Sequence, residues 1–533
     1  MSNNISPATQ SLIQRYQIWQ KAQEPPQQGV STIHVDEVAA KVAGFYEKIR
    51  GVIDWREEHL LRRGGIERIL KRRFFLGQNG QSVASSFASE LIRGGYFPND
   101  RIEETKIIQI QQLIDKYSFI LKNGSQHPSA KTEKIKIQLY DWLLSLAACE
   151  VEEVLDPPRR ERALIGYMEE LMKERISVPP NLSESEKDTQ ISIAVQKALF
   201  KLDKAIISYH LLKRLYPNWL NLSSLQFTEL AENIYLIWEN IEKDSRHPLA
   251  EKFYRICERY DTPYLILGDV LSENITQVRE KFEKPETIES LIREAYHKRR
   301  WQLGSRIKRA AVYSTISIFV TKILLALAIE TPIDRYFSGG LDLRTLALNV
   351  FIPPALMFFL VLTIRPPKKS NLERVVVETI KIIFSSEKKD VYSIKPPQKR
   401  GLALNAVVTL FYLLTFLVSF GLIWRGLEEL EFGTVSKIIF IVFFSLICFA
   451  GTKVRERSKE LVVEEEKDGF FGFLLDSFFL PFIRLGRWLS GQWTRYNSVI
   501  VIVTLLVDMP FHFVTEFIEQ WRYFLKEKKE EIH

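Results

Sequence analysis

The sequence predicts an all-α protein in two parts. A multi-helix cytoplasmic domain comes first, followed by a helical multi-pass membrane domain with C-terminal interfacial helices. Three observations carry that expectation. Apolar residues recur at helical spacing through the first 300 positions, where alternating β-branched runs bounded by turns are scarce. Long apolar runs begin only after residue 310. Lys and Arg gather on alternate loops between those runs.

The chain has 533 residues, 46% of them hydrophobic, and a formal net charge of +8. That mild basicity suits a protein lying against an anionic membrane surface as well as it suits nucleic-acid binding. Cys149, Cys257 and Cys448 are widely separated, with no CxxC or Cys/His spacing. Neither a disulfide framework nor a zinc site follows, and a reduced intracellular setting is expected for the N-terminal half. The first thirty residues lack the basic-then-apolar pattern of a cleaved signal peptide, so targeting is expected from the first span.

Residues 1–30, with Pro25-Pro26 and several Gln, read as a flexible tail or a weak peripheral helix. Residues 31–300 read as the helical cytoplasmic domain. Asp36 is a candidate N-cap for a helix carrying Val38, Val42, Phe45, Ile49, Ile53 and Leu60, which Gly64-Gly65 interrupts or ends. Further helices are expected over 81–93, 100–122, 130–155, 159–176, 183–216, 223–243, 248–259 and 286–309. Gly94-Gly95, Pro98-Asn99, Asn123-Gly124, Pro157-Pro158, Pro179-Pro180, Pro217 and His247-Pro248 mark the joints.

Residues 301–452 read as four spans: Ala310–Ile329, Thr345–Ile364, Leu402–Trp424 and Thr434–Ala450. Lys298, Arg299, Arg300, Arg306, Lys308 and Arg309 crowd the approach to the first, and the loop 365–401 carries Arg365, Lys368, Lys369, Lys399 and Arg400. The intervening loop 330–344 holds only Arg335 and Arg344, and the turn 425–433 holds Arg425 against three glutamates. Both termini and the 365–401 loop are therefore expected in the cytoplasm, on a multi-pass protein of the cell membrane. Within 453–533, Asp476, Ser477, Arg484 and Arg487 form one narrow polar stripe on an otherwise apolar helix. That pattern, with the amphipathic face after Pro510, favours interfacial or re-entrant helices; a fifth span over 497–517, or crossing by both segments, is the alternative.

Two kinds of site are expected. Lys322, Asn349, Pro353 and Pro354, with Asp508 and His512 further on, are candidates for an intramembrane polar site. A charge in a span is costly unless paired, and each proline removes a backbone donor. Snorkelling of Lys322, or pairing with Glu330 or Asp334, is the plain alternative. Arg299, Arg300, Arg306, Lys308, Arg309, Lys368, Lys369, Arg484 and Arg487 are candidates for anionic-lipid contact. The basic cluster Arg62, Arg63, Arg68, Lys71, Arg72 and Arg73 admits lipid, nucleic acid or an ordinary helix face; Glu150, Glu152, Glu153 and Asp156 read as surface charge.

No catalytic, cofactor or metal motif is present: GxxxxGK[ST], GxSxG, GxGxxG and HExxH are all missing. The sequence therefore points to a non-enzymatic scaffold or adaptor with no cofactor. Residues 31–300 would meet a protein partner, the bilayer would hold the anchor, and a homo-oligomer is compatible. The alternative is an oligomeric channel or transporter that uses the kinked, polar intramembrane path.

Overall fold

The computed structural model describes residues 5–23, 29–37, 41, 58–75, 83–124, 132–180, 182–219, 224–275, 281–282, 285–332, 336, 343–362, 369–384, 391–395, 401–458, 460–463, 470–495, 517, 521 and 524. These residues are predominantly helical. They divide into two compact units: unit 1 comprises Met1–Val278, Phe384–Pro396 and Val501–His533, and unit 2 comprises Arg279–Ile383 and Pro397–Ile500.

Unit 1 is built from eleven helices among the described residues: α1 Pro7–Lys21, α2 Glu58–Phe75, α3 Val83–Arg93, α4 Thr105–Gly124, α5 Glu133–Leu155, α6 Arg159–Arg175, α7 Glu184–Phe200, α8 Lys204–Leu215, α9 Ser224–Ser245, α10 Ala250–Arg259 and α11 Asp261–Asn274. Its core runs through α2–α5, α8 and α9, with Phe87, Tyr117, Leu146, Leu212, Trp219 and Ile234 buried together. The only sheet among the described residues is a parallel pair, β1 Ile176–Ser177 and β2 Tyr392–Ser393. Through it the 384–396 segment joins unit 1.

Several expectations change in unit 1. The tail is not free over its whole length. Ser6 caps α1 by accepting from the Thr9 amide at 3.2 Å, and Leu12, Ile13 and Tyr16 are buried against the fold. Gly64-Gly65 does not end α2. A Cβ on Gly65 would fall inside the Tyr96 ring, so the glycine serves a close approach rather than a turn.

The single helix expected over 183–216 is two. Lys201 adopts a left-handed conformation (φ 49°), and Asp203 starts α8 by accepting from the Ile206 amide at 3.1 Å. α11 is not among the helices expected, and Pro263 and Gly268 lie within it. Pro263 falls in the first turn, where no intrahelical donor is needed. Gly268 leaves room for Leu164 and the Tyr16 hydroxyl. The helix expected after Asp36 falls mostly outside the described residues.

Unit 2 comprises α12 Pro285–Leu325, α13 Leu343–Leu362, α14 Lys369–Ile383, α15 Leu402–Glu429, α16 Thr434–Ser458 and α17 Phe470–Arg495. α12 has 41 residues, about 60 Å at 1.5 Å per residue, so the expected boundary at residue 300 falls inside one helix. It ends in a π-turn, Ala326–Glu330. Arg293 holds Glu373 of α14 with two bonds of 2.8 and 2.7 Å. Asn371 donates to the Tyr296 hydroxyl and the Leu461 carbonyl and accepts from the Val463 amide at 3.0 Å.

Two helical stretches among the described residues are long and apolar enough to cross a membrane, Ala403–Glu429 and Thr434–Glu456. The other two expected spans are represented there by shorter apolar stretches, Ile318–Ala328 and Ala347–Leu360.

Candidate functional site

The candidate site of unit 2 lies where α12, α13 and α16 pack together. Phe319 meets Phe351 at 5.5 Å between ring centroids, which sets the register of α12 against α13. Lys322 lies one turn beyond Phe319, and Asn349 two residues before Phe351. Both are enclosed, at 0% and 2% exposure, and Met357 is buried on the same helix as Asn349. From α16, the Phe443 ring lies under the Lys322 ammonium at 5.4 Å. A cation on an aromatic face is attracted more strongly once desolvated.

α13 runs through Pro353 and Pro354 without interruption, and both prolines are buried. Each proline lacks the N–H that would meet the carbonyl four residues earlier, so Asn349 and Val350 lose that donor. The intramembrane candidates Lys322, Asn349, Pro353 and Pro354 thus sit in neighbouring turns of packed helices. Asp508 and His512 lie outside the described residues.

The lipid candidates differ in exposure. Arg299 and Arg300 are half-buried on α12, whereas Arg306, Lys308 and Arg309 are exposed on it. Trp301, which sequence reasoning passed over, is 75% exposed beside them. Lys369 opens α14, and Lys368 lies outside the described residues. Arg484 and Arg487 are exposed on α17, and the Arg484 guanidinium covers the Tyr412 ring of α15 at 4.3 Å.

α17 is wedged between α15 and α16. The Ser419 hydroxyl donates to the Phe478 carbonyl at 2.9 Å, and Phe482 meets Phe420 at 4.5 Å and Phe444 at 4.8 Å. Gly486 lies so close to the Ser445 carbonyl that no Cβ fits there.

The chain matches no protein-family model, no curated protein and no solved structure.

Unit 1 absorbs the charges that the sequence left open. Arg62 meets Asp156 at 2.6 Å, Arg63 meets Glu67 and Asp203, and Arg68 donates to the Tyr96 hydroxyl at 2.8 Å. Lys71 meets Asp141 at 2.7 Å, and Arg72 and Arg73 converge on Glu90. The basic cluster is a set of intramolecular clamps, more exposed at Arg62 and Lys71 and enclosed at Arg63, Arg72 and Arg73.

In the acidic cluster, its counterpart, Glu150, Glu152 and Glu153 are largely enclosed and are not surface charge, whereas Asp156 is exposed. Glu150 is 3% exposed; it binds Lys116, the Tyr117 hydroxyl at 2.9 Å and the Trp219 indole N–H at 2.8 Å. Burial lowers the Lys116 pKa against the pull of Glu150 and raises the Tyr117 hydroxyl.

Glu153 takes two bonds from Arg162, at 2.6 and 2.5 Å, and one from Lys213 at 2.6 Å. Burial opposes its ionisation, but these cations outweigh it and lower the carboxyl to about 2. Burial raises Glu152 to about 7 and lowers His210 to about 4, the latter helped by Arg162. Among the described residues no group of three His, Cys, Asp or Glu side chains could hold a metal ion.

Proposed function

We propose that this chain is a multi-pass membrane protein in which unit 1 is a cytoplasmic scaffold that recruits a protein partner to the bilayer. The observation that carries the membrane part is α15. Leu404, Val407, Leu410, Phe411, Leu413, Leu414, Leu417 and Leu422 are each more than half exposed. A soluble protein seldom presents a continuous apolar helix to water, whereas hydrocarbon covers such a surface at no cost. The basic flanks support a cytoplasmic side for unit 1 and the 365–401 segment.

The scaffold part is supported by how unit 1 uses its charges. Its clustered basic side chains are paired with carboxylates of the same chain and a tyrosine, which argues against nucleic acid. Ile108, Ile137 and Leu215 remain more than half exposed as apolar contacts for a partner. Cross-linking the intact protein in its native membrane, followed by gentle purification, should recover a stoichiometric protein bound through residues 31–300. Recovery of self-linked copies alone, joined through unit 2, would reject the scaffold.

One observation favours a second reading, an oligomeric channel or transporter: the enclosure of both Lys322 and Asn349 within the packed apolar helices. Lys322→Met separates the two. A transporter loses flux, whereas a scaffold keeps its partner.

A further inference from the structure

We propose that Arg484 and Arg487, with Tyr412, form a deep binding site for the phosphate of an anionic phospholipid on the α15–α17 side of the anchor. The proposal rests on the reading above that α15 and α16 cross a bilayer. Depth is the first argument. α17 touches α15 at Ser419 and Phe420 and α16 at Phe444 and Ser445. Ser445 lies eleven residues from the start of α16 and thirteen from its end, so residues 478–486 of α17 sit near the middle of that span. Tyr412, under the Arg484 guanidinium, lies ten residues into α15, about 15 Å from its start. A helix lying in the headgroup plane does not reach that depth, so α17 enters the hydrocarbon as a re-entrant or crossing element.

Exposure is the second argument. At this depth Arg484 and Arg487 remain exposed, and Trp488 beside them is 58% exposed. Asp476 of the same polar stripe pairs with Arg455 at 3.2 Å instead of turning toward either arginine. An arginine in hydrocarbon requires a counter-charge or a local inflow of headgroups. Tyr412 covers one face of the Arg484 guanidinium and leaves its edge donors free to fork onto phosphate oxygens. Local thinning of the bilayer around the arginines draws headgroup phosphates inward beside α15, whose apolar side chains would carry the acyl chains along the same surface. The chemistry of the site therefore selects lipid phosphate over a soluble anion.

The test uses the full chain reconstituted in phosphatidylcholine vesicles containing trace spin-labelled phosphatidylglycerol or phosphatidylcholine. The wild type should hold phosphatidylglycerol preferentially in its motionally restricted shell. Arg484→Gln and Arg487→Gln should each lower that preference about fivefold. Arg484→Lys should retain part of it, because charge survives while the fork is lost. Unchanged preference in the double glutamine variant overturns the proposal. A nitroxide on Leu413→Cys checks the reading beneath it. Quenching by oxygen rather than by a water-soluble nickel chelate places α15 in lipid, so that an unchanged preference rejects the arginine site alone. Quenching by nickel instead rejects both.

Discussion

Gly65 and His210 show how much one side chain decides in unit 1. Tyr96 packs where a Gly65 Cβ would be, and its hydroxyl takes a bond from Arg68 one turn further along α2. Gly65→Ala gains helix propensity but drives a methyl into an aromatic ring. It should destabilise unit 1 by about 1–3 kcal/mol, read as faster amide exchange in α2 and α3. His210 faces the Gln196 amide oxygen through Nδ1 at 2.7 Å. That oxygen only accepts, so Nδ1 carries the proton of a neutral ring. Its folded pKa of about 4 lies below the ordinary 6.5. Its contribution is complete above pH 6.5 and is lost as pH falls through 4. Glu153, near 2 against 4.5, loses its contribution lower, between pH 4.5 and 2. Glu152, raised to about 7, acts oppositely: its contribution is complete below 4.5 and fades as pH rises through 7. His210→Gln should therefore remove one acid-sensitive component between pH 6.5 and 4. A ring titration near 6.5 in the folded protein would contradict this.

Among the elements, α4 and α5 depend on a charge sealed between them. Glu150 on α5 receives Lys116 and Tyr117 from α4 and the indole of Trp219 beyond α8. Glu150→Gln keeps the shape but leaves the Lys116 ammonium buried without its counter-ion. The cost should be about 3–5 kcal/mol, visible as lost exchange protection in α4 and α5. Adding Lys116→Met should restore much of it, since the pair then leaves no unmatched charge. Equal stability of the single and double variants would show that the pair does not act as a unit. In unit 2 the comparable joint is Gly486 against the Ser445 carbonyl. Gly486→Leu should detach α17 from α16, detected as a cross-link lost between cysteines placed at 479 and 444.

For the chain as a whole, the arrangement of its loops predicts where each must lie. Reporters fused after residues 300 and 385 should both register as cytoplasmic, and one after 429 as external. Opposite sides for 300 and 385 would overturn the topology. The same map bears on function, because a scaffold needs unit 1 on the side where its partner is made. Cys149, Cys257 and Cys448 are all buried, so the folded chain should resist a small thiol reagent until it is denatured.

Helix type and the turn from polar to apolar helices near residue 310 were legible in the residue order alone. Each depends on local periodicity or local charge, which a one-dimensional pattern carries in full. The prolines of α13 and the lysine of α12 could be singled out for the same reason, because an imino acid or an ammonium in an apolar run is anomalous wherever the chain folds. The partners of those residues could not be read. Whether Arg62–Arg73 faces lipid or is spent on Asp156, Asp203 and Glu90 depends on contacts between residues far apart in the chain, and charge composition is blind to them. Gly65 looked like a helix end because glycine is permissive; only the Tyr96 ring, thirty-one positions away, makes it a contact. The polar stripe of α17 could suit a membrane surface or its interior. Its packing between α15 and α16 was decided by Ser419, Phe444 and Ser445, because burial belongs to the assembled helices and not to any one of them.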